Sequence, residues 1–242
     1  MKLRVLLAAC LTIVACDGAQ RPPDQMLWHW FANGDVRFVQ PQRAGIAFHA
    51  LSIALKGRDE AIAYPRRSPL PLSAGVYRMA VIRIEDRGAA FTSAQRLQAA
   101  KMIGKIALVM RVPAVQIDFD APKSARAFYK ELLKDVRARL GRDIFLSITA
   151  LTSWCESNSW MASLDVDELV PMAFDMGRGG PQITAMLKQG GQFGFAGCRT
   201  SIGMSLTEGA VAVKPGQRIY LFAAHQRWSE ALVNSAFRRY GR

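Results

Sequence analysis

The chain is 242 residues long and half hydrophobic, enough for one domain with a sizeable core. Its 32 Lys and Arg against 19 Asp and Glu give a formal charge of +13. That balance would suit nucleic acid, but the basic residues are scattered (Arg66-Arg67, Arg137, Arg139 and Arg142, Arg238-Arg239-Arg242), with no long run and no aromatic-interleaved stripe, and read as a solvated basic surface.

At the N-terminus, Met1-Lys2-Leu3-Arg4 is a short basic region, and residues 5–15 are apolar apart from Cys10 and Thr12. The run is too short for a spanning helix, which needs about 20 apolar residues, and has the size of a signal-peptide core. It ends in Ile13-Val14-Ala15-Cys16, which resembles the lipobox of bacterial lipoproteins, implying that Cys16 is acylated and becomes the mature N-terminus. Leu7-Ala8-Ala9-Cys10 fits loosely but leaves a very short apolar core. Asp17 resembles the residue that retains many Gram-negative lipoproteins at the inner membrane. The alternative is an ordinary cleaved signal without lipid. Residues 16–25, with Pro22-Pro23, suit a tether, and residues 26–242 a single domain on the periplasmic side of the envelope. Loss of Lys2 and Arg4 lowers the charge only from +13 to +11. An exported basic chain meets anionic phospholipid headgroups or acidic envelope polysaccharides rather than nucleic acid.

Several strands and helices then alternate. Residues 45–55 and 61–64, joined across Lys56-Gly57-Arg58-Asp59, read as a hairpin, and residues 65–71 as a loop. A β-rich run over 76–84 ends at Glu85-Asp86, and Thr92 or Ser93 caps a helix to about Met110. A strand over 116–120 follows, then a helix from about 123 to 140 closed by Gly141. Strands at 144–150, 168–174, 200–205 and 219–223 are separated by helices near 158–163 and 181–188, with a last helix over 229–239. Strands spaced by helices argue for βαβ units and a parallel sheet. At least six strands without a Gly-rich nucleotide fingerprint favour an irregular or incomplete (β/α)8 TIM-type barrel with an N-terminal hairpin region.

The most informative segment is Val115-Gln116-Ile117-Asp118-Phe119-Asp120-Ala121-Pro122. Strand side chains alternate, so Gln116, Asp118 and Asp120 share one face while Val115, Ile117 and Phe119 share the other. Polar groups on one face of an apolar strand need water, partners or a ligand. Two carboxylates roughly 6 to 7 Å apart can separate each other's pKa into an acid and a base. The alternative is a structural pair, one aspartate capping the following helix. Barrel active sites form at the C-terminal strand ends. There stand Arg83 and Glu85 with Asp86, Asp118 and Asp120, Thr152 to Trp154, Asp175 and Glu208. Acidic tips beside tryptophan fit carbohydrate chemistry, in which carboxylates cleave and aromatic faces stack on sugar rings. Trp28 and Trp30 share a face if residues 26–31 are extended, giving a second platform. The expectation is Asp118, Asp120 and Asp175 at the centre, Gln116 one layer below, and Trp154 as a wall.

Three segments together resemble bacterial domain-of-unknown-function family 3142: the Val115 to Pro122 run, Leu146-Ser147-Ile148-Thr149-Ala150-Leu151 through Trp154, and Val166-Asp167-Glu168 through Met176-Gly177. A remoter similarity is to the chitinase-like barrels of glycoside hydrolase family 18, with their Asp-x-Asp-x-Glu strand and later Met-x-Tyr-Asp. Asp118-Phe119-Asp120 and Met172-Ala173-Phe174-Asp175 match parts of these. The catalytic Glu position holds Pro122, which cannot donate a proton, so an acid would have to come from elsewhere.

Other chemistries find little support. His29, His49 and His225 show no metal-ligand spacing with cysteine, there is no G-x-S-x-G elbow, and neither residues 177–180 nor Gly190-Gly191 follow a phosphate-loop pattern. No cofactor or metal is expected. Cys155 and Cys198 remain as an even pair in an oxidising compartment, and a disulfide between them is expected. Against a bridge, Cys155 follows a strand's C-terminal end and Cys198 precedes another strand, which could place them at opposite barrel ends. Two functions stay open: an envelope enzyme acting on a glycosidic or related bond, or a non-catalytic barrel binding a glycan or an envelope protein.

Overall fold

The computed structural model describes residues 18–30, 34–157, 159–224 and 226–240. Its nine strands are β1 (Gln25–His29), β2 (Gly45–Gly57), β3 (Glu60–Pro65), β4 (Arg78–Ala89), β5 (Ala114–Asp118), β6 (Phe145–Leu151), β7 (Glu168–Met172), β8 (Ser201–Ser205) and β9 (Arg218–Phe222). Eight of them form a closed parallel ring, β1-β2-β4-β5-β6-β7-β8-β9 and back to β1. β3 lies outside the ring, antiparallel to β2. The expected hairpin is present, but its first strand is also a barrel stave, with a bulge between His49 and Leu51 where it runs beside β4. The ring is complete rather than partial. It is irregular in its connections, since loops rather than α-helices join β3 to β4 (residues 66–77) and β8 to β9 (residues 206–217).

The helices are α1 (Ser93–Met110), α2 (Arg126–Leu140), α3 (Gly180–Lys188) and α4 (Glu230–Arg239). Thr92 starts α1 through a capping box with Gln95, the Thr92 hydroxyl accepting from the Gln95 N–H at 3.3 Å and the Gln95 side chain accepting from the Thr92 N–H at 3.1 Å. The expected helix near 158–163 is only a 3-10 turn, Trp160–Ser163. The segment that follows β5 begins with a 3-10 turn before α2, and neither element receives a side-chain cap, so Asp120 does not serve as one.

Alternation divides the barrel side chains into two sets. Leu27, Ile82, Ile117, Phe119, Ile148, Leu169 and Ile202 lie in the outer layer beneath the helices. Met26, Trp28, Ala47, Met79, Val81, Val170 and Tyr220 fill the lumen. The indole of Trp28 enters because β8 offers Gly203 opposite it; a Cβ there would lie 2.4 Å from the ring.

Among these apolar side chains the lower lumen carries a polar network. Trp28 Nε1 donates to Gln116 Oε1 at 2.7 Å, Gln116 Nε2 to Ser147 Oγ at 3.0 Å, and Ser147 Oγ to Glu168 Oε2 at 2.8 Å. Tyr220 and Ser201 each donate to Glu168 at 2.6 Å, and Arg218 forms an ion pair with it. A buried carboxylate persists only with such partners. Arg218 also donates to the carbonyls of Pro22 and Pro23 at 2.8 and 2.9 Å, and Tyr77 to that of Gln20 at 2.8 Å. The segment ahead of β1 is thereby fastened across the N-terminal base of the barrel.

Cys155 and Cys198 form a disulfide with Cα atoms 5.9 Å apart. The opposite-ends objection fails because the strands are staggered. Leu151 aligns with Met172 and Met172 with Gly203, so the start of β8 lies level with the upper half of β6. Closing a separation of 43 residues stabilises by about 4 kcal/mol in the chain-entropy model. Replacing Glu168 by Ala should cost about 3–5 kcal/mol by leaving Arg218 buried without its carboxylate. In a melt the midpoint should fall by roughly 10 °C; an unchanged midpoint would mean that the base does not depend on this pair.

Candidate functional site at the barrel mouth

Two residues beyond Gln116 on β5, Asp118 points into the lumen and is 1% exposed. Its Oδ1 accepts from Thr149 Oγ1 at 2.7 Å and its Oδ2 from Arg83 at 2.7 Å. Register explains the trio, since Arg83 on β4 is the direct neighbour of Asp118, and Thr149 is the next inward residue of β6 after Ser147. The other guanidinium nitrogen of Arg83 reaches Asp120 Oδ2 at 3.1 Å. One arginine thus bridges a buried aspartate and a partly exposed one at the rim.

Burial raises the Asp120 pKa above the ordinary carboxylate value, the charge of Asp118 adds to the rise, and Arg83 opposes both. Burial works against the charge on Arg83, yet Asp118 and Asp120 together outweigh it and hold its pKa up. Arg83 is a fixed cation, and its five N–H donors exceed the two bonds described here.

Above this polar floor is a cavity of about 220 Å³ lined by Trp28, Trp30, Arg83, Asp118, Thr149, Met172, Phe174 and Phe222. Phe174 and Phe222 stack at 5.6 Å, and Trp28 meets Phe174 edge-on at 6.0 Å. Trp30 lies over the ring of His49 at 5.3 Å and 19°. Burial first, then the charge of Arg66, lowers the His49 pKa, which favours a neutral ring under Trp30. The site therefore joins flat aromatic faces to a charge-fixed arginine–aspartate cluster.

The sequence-derived candidates divide. Trp28, Trp30, Arg83 and Asp118 line one cavity, with Asp120 bound to its arginine and Gln116 one layer below. Trp154 is not a wall of the mouth; it is 4% exposed in the outer layer, edge-on to Trp160 at 5.2 Å, because β6 ends at Leu151 and the chain turns outward as a 3-10 turn. Thr152 is buried at the start of that turn, away from the cavity lining. Glu85 is taken by Arg87, at 2.6 Å. Asp175 is exposed and borders a separate groove with Lys188 and Glu208, whose carboxylate accepts its backbone N–H at 2.9 Å. β7 ends at Met172, so the strand does not carry Asp175 into the mouth. Cys16 and His225 lie outside the described residues. Sequence reasoning missed Thr149, Met172, Phe174 and Phe222 as lining residues. Alternation from Ser147 and from Val170 would have found the first two, which lie within β6 and β7.

A raised carboxylate pKa means that the fold holds the Asp120 proton more tightly than the unfolded chain does. The stability this gives is present below the unfolded value of about 3.8 and is lost as pH rises through the folded value. The melting midpoint of Asp120→Asn relative to wild type should therefore increase as pH is raised from 3 to 7. A difference that shrinks with pH would show that Arg83, not burial, governs this carboxylate.

Residues 75–173 match the family described as Domain of unknown function (DUF3142), which covers β4 to β7 and both Arg83 and the aspartate motif. No curated protein matches the chain. Among solved structures, the chitinase domain of the spore coat protein CotE from Clostridium difficile is similar at 14% identity and a TM-score of 0.43, over 69% of this chain and 54% of that one. The chain thus spans about half the length of that domain, and the likeness concerns fold alone.

Proposed function

We propose that this barrel binds a carbohydrate at its C-terminal mouth. The observation that carries the reading is one cavity joining Trp30, Phe174 and Phe222 to the Arg83–Asp118 pair. A sugar ring offers apolar C–H faces to flat aromatic surfaces and hydroxyls to charged donors and acceptors. Arg83, fixed by two carboxylates, is suited to donate, and Asp120 at the rim to accept. Small-molecule sites generally combine such largely apolar walls with a few placed polar groups.

Hydrolysis is the second reading, favoured by the raised pKa and rim position of Asp120, which suit a general acid. Against it, Asp118 is engaged by Arg83 and Thr149, and Pro122 stands where the Asp-x-Asp-x-Glu strand that this segment resembles carries its acid. Binding without turnover is the reading we favour. We place the protein on the outer side of a bacterial inner membrane, held through Cys16. The lipobox-like Ile13 to Cys16 supports this, as does a disulfide of the kind that persists in oxidising compartments.

Titration calorimetry with soluble oligosaccharides of N-acetylglucosamine, glucose and muropeptide type tests the proposal. At least one should bind, with Trp30→Ala weakening it about tenfold and Arg83→Met more strongly. Release of reducing ends by wild type and not by Asp120→Asn would favour hydrolysis. Failure of every sugar to bind, or binding indifferent to both variants, would sink the carbohydrate reading.

A further inference from the structure

The segment nearest Cys16 leaves the barrel at its base, opposite the mouth. Ala19 packs against the lower lumen cluster, and Gln20, Pro22 and Pro23 are tied there by Tyr77 and Arg218. Beside Gln20 opens a groove of about 530 Å³ whose lining includes Leu108, Arg111, Arg139 and Leu140. It lies between the C-terminal ends of α1 and α2, which also come down to the base because both helices run antiparallel to the strands. Leu108 is 77% exposed and Val109 67%. Arg21, Arg111 and Arg139 are exposed nearby, and Arg78 donates to the Arg111 carbonyl at 3.2 Å. None of these four arginines forms an ion pair with a described residue.

We infer that this base is a membrane-docking face that takes anionic phospholipid headgroups. Exposed Leu108 sharing a groove with Arg111 and Arg139, and followed in sequence by exposed Val109, matches an interface of acyl chains below phosphates, and each such cation near an anionic leaflet adds attraction. Only Gly18 and Ala19 separate Asp17 from Gln20, so an anchor at Cys16 would keep this face near the bilayer. The mouth then opens away from the membrane, toward soluble or wall-bound glycan. The inference rests on the envelope placement for its choice of partner, while the contact itself needs no acyl chain.

A chain starting at Gly18 keeps every described strand and helix and carries neither leader nor anchor. It should co-sediment with phosphatidylglycerol–phosphatidylcholine vesicles and not with phosphatidylcholine alone, and should release as salt rises. Arg111→Glu with Arg139→Glu should lower partitioning about tenfold or more. The equal charge change at the opposite end, Arg58→Glu with Arg178→Glu, should leave it nearly intact. Should the first pair unfold, Arg111→Gly, which suits the left-handed backbone there (φ 47°), combined with Arg139→Gln asks the same question. Leu108→Ser with Val109→Ser should weaken binding at constant charge. No sedimentation, or equal loss from both charge-reversed pairs, would overturn the docking face. Anchoring fails separately, if Cys16→Ala leaves the protein membrane-bound in cells at high salt.

Discussion

A carboxylate enclosed in a barrel lumen must be neutralised, and this barrel encloses one near each end. At the base, Glu168 is held by Arg218 and by hydroxyls from Ser147, Ser201 and Tyr220. Near the mouth, Asp118 is held by Arg83 and Thr149. Removing the cation from either would leave a buried charge unpaired, a change costing several kcal/mol. The Glu168 network, extended through Ser147, Gln116 and Trp28, draws on β1, β5, β6, β7, β8 and β9. It helps define how those strands sit against one another and fastens the segment ahead of β1.

The two ends differ in what their arginine does besides neutralise. Arg218 spends its remaining contacts on the Pro22 and Pro23 carbonyls, which closes the base. Arg83 turns to a second carboxylate at the rim and borders a cavity walled by aromatic rings. The same pairing therefore plugs one end and leaves the other chemically presentable. That asymmetry agrees with the general placement of barrel sites at the C-terminal strand ends.

Much of this was legible in period-two alternation. Gln116, Asp118 and Asp120 had no apolar role, while Ile117 and Phe119 did, and the structure places the latter pair under the helices. The Lys56 to Asp59 turn was readable from its Gly and charged residues. What stayed hidden depends on register and strand length. Trp154 and Asp175 lie a few residues past strands that stop at Leu151 and Met172, and once a strand stops, alternation no longer fixes direction. The Cys155–Cys198 pairing and the convergence on Glu168 arise from stagger between strands, which no single segment encodes. Glu168 itself stands at the start of an apolar strand, where sequence offers no sign of its four partners.

We propose Arg83, held between Asp118 and Asp120, as the centre of a sugar-recognition site completed by the aromatic walls. The most direct measurement is a crystal structure of the protein soaked with a saturating oligosaccharide that binds in solution. A ring packed on Trp30 or Phe222, with hydroxyls within hydrogen-bonding distance of Arg83 and Asp120, is the predicted result. Sugar density elsewhere on the protein, with the mouth cavity holding only solvent, would contradict it.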